Sequence, residues 1–136
     1  MSTIHTVDII VTDGKWSILL VERGKEPFKG KLVLPGGHID PTDESPAHAA
    51  ARELREEAGI DVDPAKLEFL ATFDANGRDP RGHYVSDVFV IGLTPEALAG
   101  AKAGSDATRV VIREFDSVRR EEMGFDHYDA ILFLKD

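Results

Sequence analysis

Short blocks of hydrophobic residues, separated by polar and turn-forming residues, run through most of this chain and are typical of β-strands. An Asp-Gly pair at 13–14 separates the first two blocks, which predicts a hairpin. Helical spacing appears at 46–58 and 126–134. We expect a linker with a helical turn at 94–103, and a charged turn or short helix at 116–123. The predicted strands are 5–12, 16–22, 32–34, 67–73, 83–93 and 108–115.

The helix predicted at 46–58 has sequence signals at both ends. Ser45 suits the N-cap, Pro46 the first helical position and Gly59 the C-terminal stop. Because a helix turns about 100° per residue, its side chains separate onto two opposite sides. The apolar side consists of Ala47, Ala51, Leu54 and Ala58, and the other side carries Glu53, Glu56 and Glu57.

Composition limits the class of protein. With 136 residues, 42% of them hydrophobic, the chain is expected to form one globular domain over 1–136. The absence of cysteine excludes disulfides and thiolate metal sites and fits a reducing compartment. No secretion signal is visible and no apolar run reaches the ~18 residues that a membrane span needs, so we expect a cytoplasmic protein with no membrane partner. A net charge of −9 without a basic stripe argues against nucleic-acid binding.

The glutamate side of the predicted helix is the first candidate for chemistry. Like charges one turn apart destabilise a helix by about 0.2–0.5 kcal/mol, and a divalent cation would remove that cost. Oxygen ligands without cysteine suit Mg²⁺ or Mn²⁺. A solvated acidic surface explains the glutamates equally well, but the preceding Gly36-Gly37 pair and Arg52 favour a metal site. Glycines allow close approach of the backbone, so the Gly36 carbonyl is a candidate ligand, with a tight turn as the alternative.

A polar loop at 74–82 is the second candidate. Arg78 and Arg81 suit phosphate recognition, and Asp79 suits a base or a ligand. The alternative is a surface turn with local ion pairs. His127 is either a surface or capping group or a substrate contact, and Asp8 lies either on the polar face of its strand or in a pocket.

The segment 36–60 resembles the signature of the Nudix hydrolases. That signature is a glycine, five residues, a glutamate, seven residues, and then Arg-Glu-hydrophobic-any-Glu-Glu-any-Gly-hydrophobic. There is one departure, because six residues separate Gly37 from Glu44, and Thr42-Asp43 stand where a glycine is usual. The matching residues are Gly37, Glu44, Arg52, Glu53, Leu54, Glu56, Glu57, Gly59 and Ile60.

Other segments resemble one branch of that family, which contains bacterial ADP-ribose pyrophosphatases and the Nudix domains of regulators of NAD metabolism. Leu32, where tryptophan is usual, and Asp87, at a usually apolar strand position, depart from the branch. The segments that carry the likeness are 26–31, 78–82, 103–107 and 125–127.

The resemblance implies an α+β fold, specifically an α/β/α sandwich with a mixed sheet, and a metal-dependent site on the 46–58 helix. In the family the glutamates bind Mg²⁺, with Mn²⁺ as a second choice. Arg52 would orient the glutamates through an ion pair with Glu44, and Gly37 would support the loop that carries Glu44. In the family a carboxylate takes the proton of the attacking water. Here that carboxylate is either a glutamate of the helix or Asp79 of the loop. The implied metal ligands are Gly36, Glu53, Glu56 and Glu57, and the implied catalytic residues are Arg52, Glu53 and Glu56.

The resemblance also implies a function. The expected substrate is a nucleoside diphosphate linked to another group, with ADP-ribose, cleaved to AMP and ribose 5-phosphate, as the favoured case. The alternatives are a nucleoside triphosphate pyrophosphohydrolase and a non-catalytic sensor of nucleotide sugars. The related regulators carry a C-terminal DNA-binding domain, whereas this sequence stops at Asp136, so a stand-alone enzyme is expected. Relatives are often homodimers, and the resemblance allows that state here.

Overall fold

The computed structural model describes residues 2–104 and 107–136. Part of the 103–107 segment, which contributed to the family resemblance, therefore lies outside the described residues. The framework consists of the strands β1 (Ile4–Thr12), β2 (Ser17–Arg23), β3 (Leu32–Val33), β4 (Gly36–His38), β5 (Glu68–Phe73), β6 (Tyr84–Gly92) and β7 (Ala107–Glu114), with the helices α1 (Pro46–Ala58), α2 (Pro95–Ala99) and α3 (His127–Lys135).

The strands form one mixed sheet. β1 and β6 run parallel, paired from Ile4 with Tyr84 to Thr12 with Gly92. The pairings of β5 with β6, β4 with β1, and both β3 and β7 with β2 are antiparallel. This arrangement confirms the mixed sheet implied by the family resemblance.

The sheet forks between β1 and β2. These strands pair at Thr12 and Ile18, next to the turn, and then take different partners. β1 continues beside β4, whereas β2 pairs along its length with β7. Pro35 lies in the fork beside β1, where its carbonyl accepts the Ile9 N–H at 2.9 Å. The predicted hairpin is thus confirmed only beside its turn, and the divergence of the two strands opens a space at the centre of the sheet.

Helices cover both faces of the sheet. Successive side chains of β1 point to opposite faces, and the side chains on both faces are buried. One core lies between the sheet and α1, and the other lies between the sheet and α3. The strand residues Val7, Ile9, Val11 and Leu19 belong to the first core, and Ile10, Ile18 and Leu20 to the second. The α/β/α sandwich is therefore confirmed.

The helix α1 has the predicted bounds. Ser45 caps it by accepting the His48 N–H on its Oγ at 3.1 Å. Gly59, at a φ of 68°, ends it and donates its N–H to the Arg55 carbonyl at 2.9 Å. The packing side is wider than predicted, because its buried residues are Ala49, Ala50, Ala51, Leu54 and Ala58, while Ala47 is half-buried.

Other predicted elements differ in detail. Residues 36–38 were expected in a loop but form β4, because the edge of β1 beyond the fork offers backbone groups that must be paired. The 94–103 linker contains α2, and two 3₁₀ turns, Phe115–Ser117 and Arg120–Glu122, cover most of 116–123. The remaining strands and the last helix differ from their predicted bounds by one residue at one or both ends. None of the helices in the described ranges is long and apolar enough to cross a membrane.

Candidate active site

A polar cavity of about 300 Å³ lies at the fork of the sheet. Its walls come from the diverging strands β1 and β2, the segment that contains β3 and β4, the helix α1, the 74–82 loop and the start of α3. The charged and aromatic residues that line it are Asp8, Glu22, Arg23, Lys25, His38, Asp40, Glu53, Glu57, Arg78, Asp79, Arg81, Tyr84, Phe125 and His127. The divergence of β1 and β2 thus brings residues that are distant in sequence around one space.

The acidic wall of the cavity comes from α1. Glu53 and Glu57 line the cavity, together with Gly36 and Gly37 of β4. Glu53 lies against the backbone of Gly37, since a Cβ added to that glycine would be 2.4 Å from Glu53 Oε2. Glu56 is not among the lining residues and its side chain is half exposed. Two of the three predicted glutamates and both glycines therefore line the cavity.

Arg52 holds the acidic wall together. Its Nε and Nη2 donate to the two carboxylate oxygens of Asp43, at 3.0 and 2.9 Å. Its Nη1 donates to Glu53 and Glu56, each at 2.9 Å, and Nη2 also donates to the His38 carbonyl at 3.0 Å. One guanidinium thus joins the loop before α1 to two glutamates of the helix.

The predicted ion pair between Arg52 and Glu44 is wrong. Asp43 takes that place, and its side chain is only 7% exposed. Glu44 points outward with 81% of its side chain exposed, and its Oε2 lies 3.3 Å from His48 Nε2. The extra residue in the loop displaces Glu44 and lets the shorter carboxylate reach the arginine, which the family pattern alone does not reveal.

The donor set on the acidic wall fits a hard divalent cation. Burial raises the pKa of Glu53 to about 7, although its hydrogen bond from Arg52 acts in the opposite direction. Such a carboxylate lacks a full counter-charge, and carboxylate and carbonyl oxygens are the ligands that Mg²⁺ prefers. Within residues 2–104 and 107–136 no three acidic or histidine side chains already converge as a cation site, and Arg52 forms ion pairs with Glu53 and Glu56. A cation would therefore compete with Arg52 for these oxygens.

The two arginines of the 74–82 loop are both paired with carboxylates. Arg78, with 5% of its side chain exposed, donates Nε and Nη2 to Asp126 at 2.9 and 2.7 Å. Arg81 donates its backbone N–H, Nε and Nη2 to Asp79 at 2.9, 3.0 and 2.7 Å. These bonds hold the pKa of Asp79 below its usual range, although burial acts to raise it. The Arg81–Asp79 pair is local, as the surface-turn alternative expects, whereas Arg78 pairs with a residue 48 positions away, and Arg78, Asp79 and Arg81 all line the cavity.

Arg23 is a cavity residue that sequence reasoning missed. Its guanidinium lies over the Phe125 ring, 5.1 Å from the centroid, and that of Arg81 approaches the same ring at 5.7 Å. Burial and the charge of Arg81 lower the pKa of Arg23. The available signal was weak, a single basic residue at the end of a predicted strand. Two cations thus share one aromatic residue at the wall of the cavity.

Asp8 and His127 form a buried polar group at the cavity. Asp8 Oδ2 accepts from Ser86 Oγ at 2.5 Å and lies 3.4 Å from His127 Nε2. The other ring nitrogen of His127, Nδ1, accepts the Leu34 N–H at 3.0 Å. Since Nδ1 accepts, the ring proton of neutral His127 is on Nε2, facing Asp8. The structure therefore places both residues in a pocket rather than on the surface.

The arrangement combines two chemical functions in one space. Carboxylates that can hold a divalent cation stand on one helix, and guanidinium groups that can bind phosphate oxygens stand on the loop and strand that face the same cavity. Such a site can bind a phosphorylated compound together with a cation.

Several known proteins are similar to this chain in sequence and fold. The model of the NUDIX domain family matches residues 3–132. The ADP-ribose pyrophosphatase of Methanocaldococcus jannaschii is 38% identical over 123 residues, which cover 90% of this chain and 67% of that protein. The NUDIX domain of Shewanella oneidensis NrtR, solved with ADP-ribose, has a TM-score of 0.86 at 29% identity and covers 99% of this chain and 88% of its own.

A third similar protein is larger. The bifunctional NMN adenylyltransferase/ADP-ribose pyrophosphatase of Francisella tularensis, solved with AMP and a Mn ion, has a TM-score of 0.85 at 31% identity. The match covers 98% of this chain but only 41% of that one. The chain thus corresponds to less than half of the bifunctional enzyme.

Proposed function

The chain belongs to the NUDIX domain family and is a pyrophosphohydrolase of that family, and on this premise we propose that it hydrolyses nucleoside diphosphate derivatives with a divalent cation. ADP-ribose is the favoured substrate, with AMP and ribose 5-phosphate as products. The relative from M. jannaschii carries that activity in its name, and the NrtR domain was solved with the same compound.

One observation carries the proposal: a single cavity is bordered by both kinds of group that a diphosphate and its cation require. Glu53 and Glu57 lie on one wall, and Arg23 and Arg81 lie on another. Carboxylates bind the cation, and guanidinium groups bind phosphate oxygens. The net charge of −9 is therefore compatible with an anionic substrate, because a bound cation would offset the charge between the two negative partners.

We assign different steps of the hydrolysis to different residues. Glu53 and Glu57 would hold Mg²⁺ or Mn²⁺ with the Gly36 carbonyl, and Glu56 would join them by turning away from Arg52. The cation, when bound, neutralises charge on the diphosphate and lowers the pKa of a bound water. The guanidinium of Arg81 binds and orients phosphate oxygens. Water adds its oxygen to one phosphorus, the bridging P–O bond breaks, and a carboxylate of the protein receives the proton.

We assign the role of proton acceptor to a glutamate of α1 rather than to Asp79. Asp79 is buried and accepts three hydrogen bonds from Arg81. Taking a proton would disrupt these charge-assisted bonds. Asp79 is therefore a residue that orients Arg81, and the acceptors that remain from the sequence prediction are Glu53 and Glu56.

The test is an assay of purified protein with ADP-ribose and Mg²⁺ or Mn²⁺, with AMP measured by chromatography. We expect AMP and ribose 5-phosphate in equal amounts, and no product with EDTA. Glu57→Gln should lower the rate by about 100-fold or more, because it weakens the cation site. The matched variant Glu96→Gln, which changes an exposed glutamate on α2, should keep the wild-type rate.

Assays of the same purified protein distinguish the two alternative functions. Release of inorganic pyrophosphate from nucleoside triphosphates, with ADP-ribose left intact, would assign the second activity. Thermal stabilisation by ADP-ribose without AMP release under either metal would indicate a sensor and would overturn the proposed hydrolysis.

A further inference from the structure

The loop between β4 and α1 presents two neighbouring carboxylates in opposite ways. Asp43 is folded back into the loop, where its Oδ2 accepts the Asp40 N–H at 2.8 Å and its own N–H donates to the Asp40 carbonyl at 3.0 Å. Glu44 is the next residue and points into solvent beside His48. Only one of the two is therefore built into the site, and it is the one that the Nudix signature does not specify.

Asp43 occupies one side of the Arg52 guanidinium. The two hydrogen bonds at 3.0 and 2.9 Å form the parallel arrangement in which arginine and a carboxylate bind most strongly. The hydrogen bonds from Arg52 lower the pKa of Asp43, so this carboxylate stays charged. With Nε and Nη2 held in this way, Nη1 is the nitrogen that reaches Glu53 and Glu56.

This division of donors bears on cation binding. Nη1 donates to one oxygen of Glu53 and to both oxygens of Glu56, and both glutamates are proposed to bind the cation. If Asp43 lost its charge, Nε and Nη2 would lose their strongest partner. The charged partners left to Arg52 in the described structure would be these two glutamates and Asp40, at 3.4 Å. The guanidinium would then shift towards the oxygens that the cation needs.

We propose that Asp43, and not Glu44, is the positioning residue of this site: it anchors Nε and Nη2 of Arg52, so that only Nη1 competes with the divalent cation for the glutamates of α1. The inference rests on the proposed metal-dependent function. It gives the inserted residue a role, because the longer loop brings an aspartate to the place where the pattern predicts a glutamate.

The test is direct measurement of Mn²⁺ binding by isothermal titration calorimetry, without substrate. Asp43→Asn, which keeps the shape of the side chain and removes its charge, should weaken Mn²⁺ binding by about 10-fold or more, as loss of residues that orient metal ligands does. Glu44→Gln removes one negative charge from the adjacent residue and should change Mn²⁺ binding far less. Asp61→Asn, at an exposed position after α1, controls for the loss of one negative charge.

A second readout separates positioning from folding. The thermal melting of each variant is measured with and without Mn²⁺, so that a variant that folds poorly is identified before its affinity is compared. Asp43→Glu keeps the charge and should bind Mn²⁺ more tightly than Asp43→Asn. The inference is overturned if Glu44→Gln weakens binding as much as Asp43→Asn, if Asp43→Glu and Asp43→Asn are equally weak, or if the wild type binds no Mn²⁺.

The proposed hydrolysis and this inference fail in different ways. A wild-type protein that binds Mn²⁺ but leaves ADP-ribose intact would contradict the hydrolysis alone, and the comparison of Asp43 with Glu44 would still be informative. A protein that releases AMP equally well in the wild type and Asp43→Asn, at low Mn²⁺ concentration, would contradict the inference alone.

Discussion

Replacing Arg78 with methionine is expected to lower the free energy of unfolding by about 3 kcal/mol, because it removes one partner of a buried ion pair. The side chain of Arg78 is 5% exposed and binds both oxygens of Asp126, at 2.9 and 2.7 Å. Removing one partner of such a pair typically costs about 3–5 kcal/mol. Since Asp126 is 20% exposed, water partly solvates the remaining carboxylate and we expect the lower value.

The assay is urea denaturation followed by circular dichroism, together with thermal melting. For a domain of this size the loss corresponds to a fall in melting temperature of about 10 °C. The matched control is Arg120→Met, since Arg120 also binds an aspartate, Asp129 at 2.6 Å, but the two side chains are 58% and 50% exposed. Water screens such an exposed pair, so its loss should change stability far less than the loss of Arg78. Equal losses for the two variants would refute the reasoning.

The pair can also be tested from its other side. Adding Asp126→Asn to Arg78→Met should recover part of the lost stability, because the unpaired charge is then removed. A double variant less stable than Arg78→Met alone would show that Asp126 contributes through contacts other than its pair with Arg78.

Three further variants test other parts of the cavity. Arg23→Gln should raise KM for ADP-ribose by about 10-fold with a smaller change in kcat, because it removes a charge-assisted contact to the substrate; steady-state kinetics with an unchanged KM would contradict this. Gly37→Ala should abolish AMP release and weaken Mn²⁺ binding, since its Cβ would lie 2.4 Å from Glu53 Oε2; a wild-type titration curve would disprove the contact. His127→Ala should lower the free energy of unfolding by about 2 kcal/mol in urea, because the buried Leu34 N–H loses its acceptor, and no loss would show that water replaces the ring.

The helix α1 could be predicted to the residue because its determinants are local. Ser45, Pro46 and Gly59 act within one turn of the helix ends, and the apolar spacing fixes the face that packs. The strand β4 could not be predicted, because Gly36–His38 has no strand propensity of its own. Its residues are extended because the edge of β1 supplies hydrogen-bond partners from a distant part of the chain. The fork between β1 and β2 has the same non-local origin.

The site shows the same division between local and distant causes. The helix register predicts that Glu53 and Glu57 share a side, and both line the cavity, whereas Glu56 is not among the lining residues. The partner of Arg52 was not predictable, because the path of the 38–45 loop decides whether Asp43 or Glu44 reaches it. The pairing of Asp8 with His127 joins residues 119 positions apart, and nothing in either neighbourhood indicates it.

The three arginines of the cavity divide into one that stabilises the fold and two that we propose to contact the substrate. Arg78 is almost fully buried and bound at Nε and Nη2 by Asp126, so its role as a substrate ligand remains a prediction. Arg81 is 39% exposed, and its bonds to Asp79 use Nε and Nη2. In the part of the chain that the structure describes, Arg23 makes one side-chain hydrogen bond, to the Pro27 carbonyl at 2.6 Å.

Arg23 and Arg81 therefore have donors available to an anion, and both lie over the Phe125 ring. Burial and the charge of Arg81 lower the pKa of Arg23, consistent with two like charges close together, while nearby carboxylates act to raise it. A phosphate group between the two arginines would offset their repulsion. The repulsion between the two arginines thus favours an anionic ligand, as the crowding of glutamates on α1 favours a cation. We therefore propose that the two walls of the cavity bind a diphosphate together with its cation, which would explain how an acidic protein holds an anionic substrate.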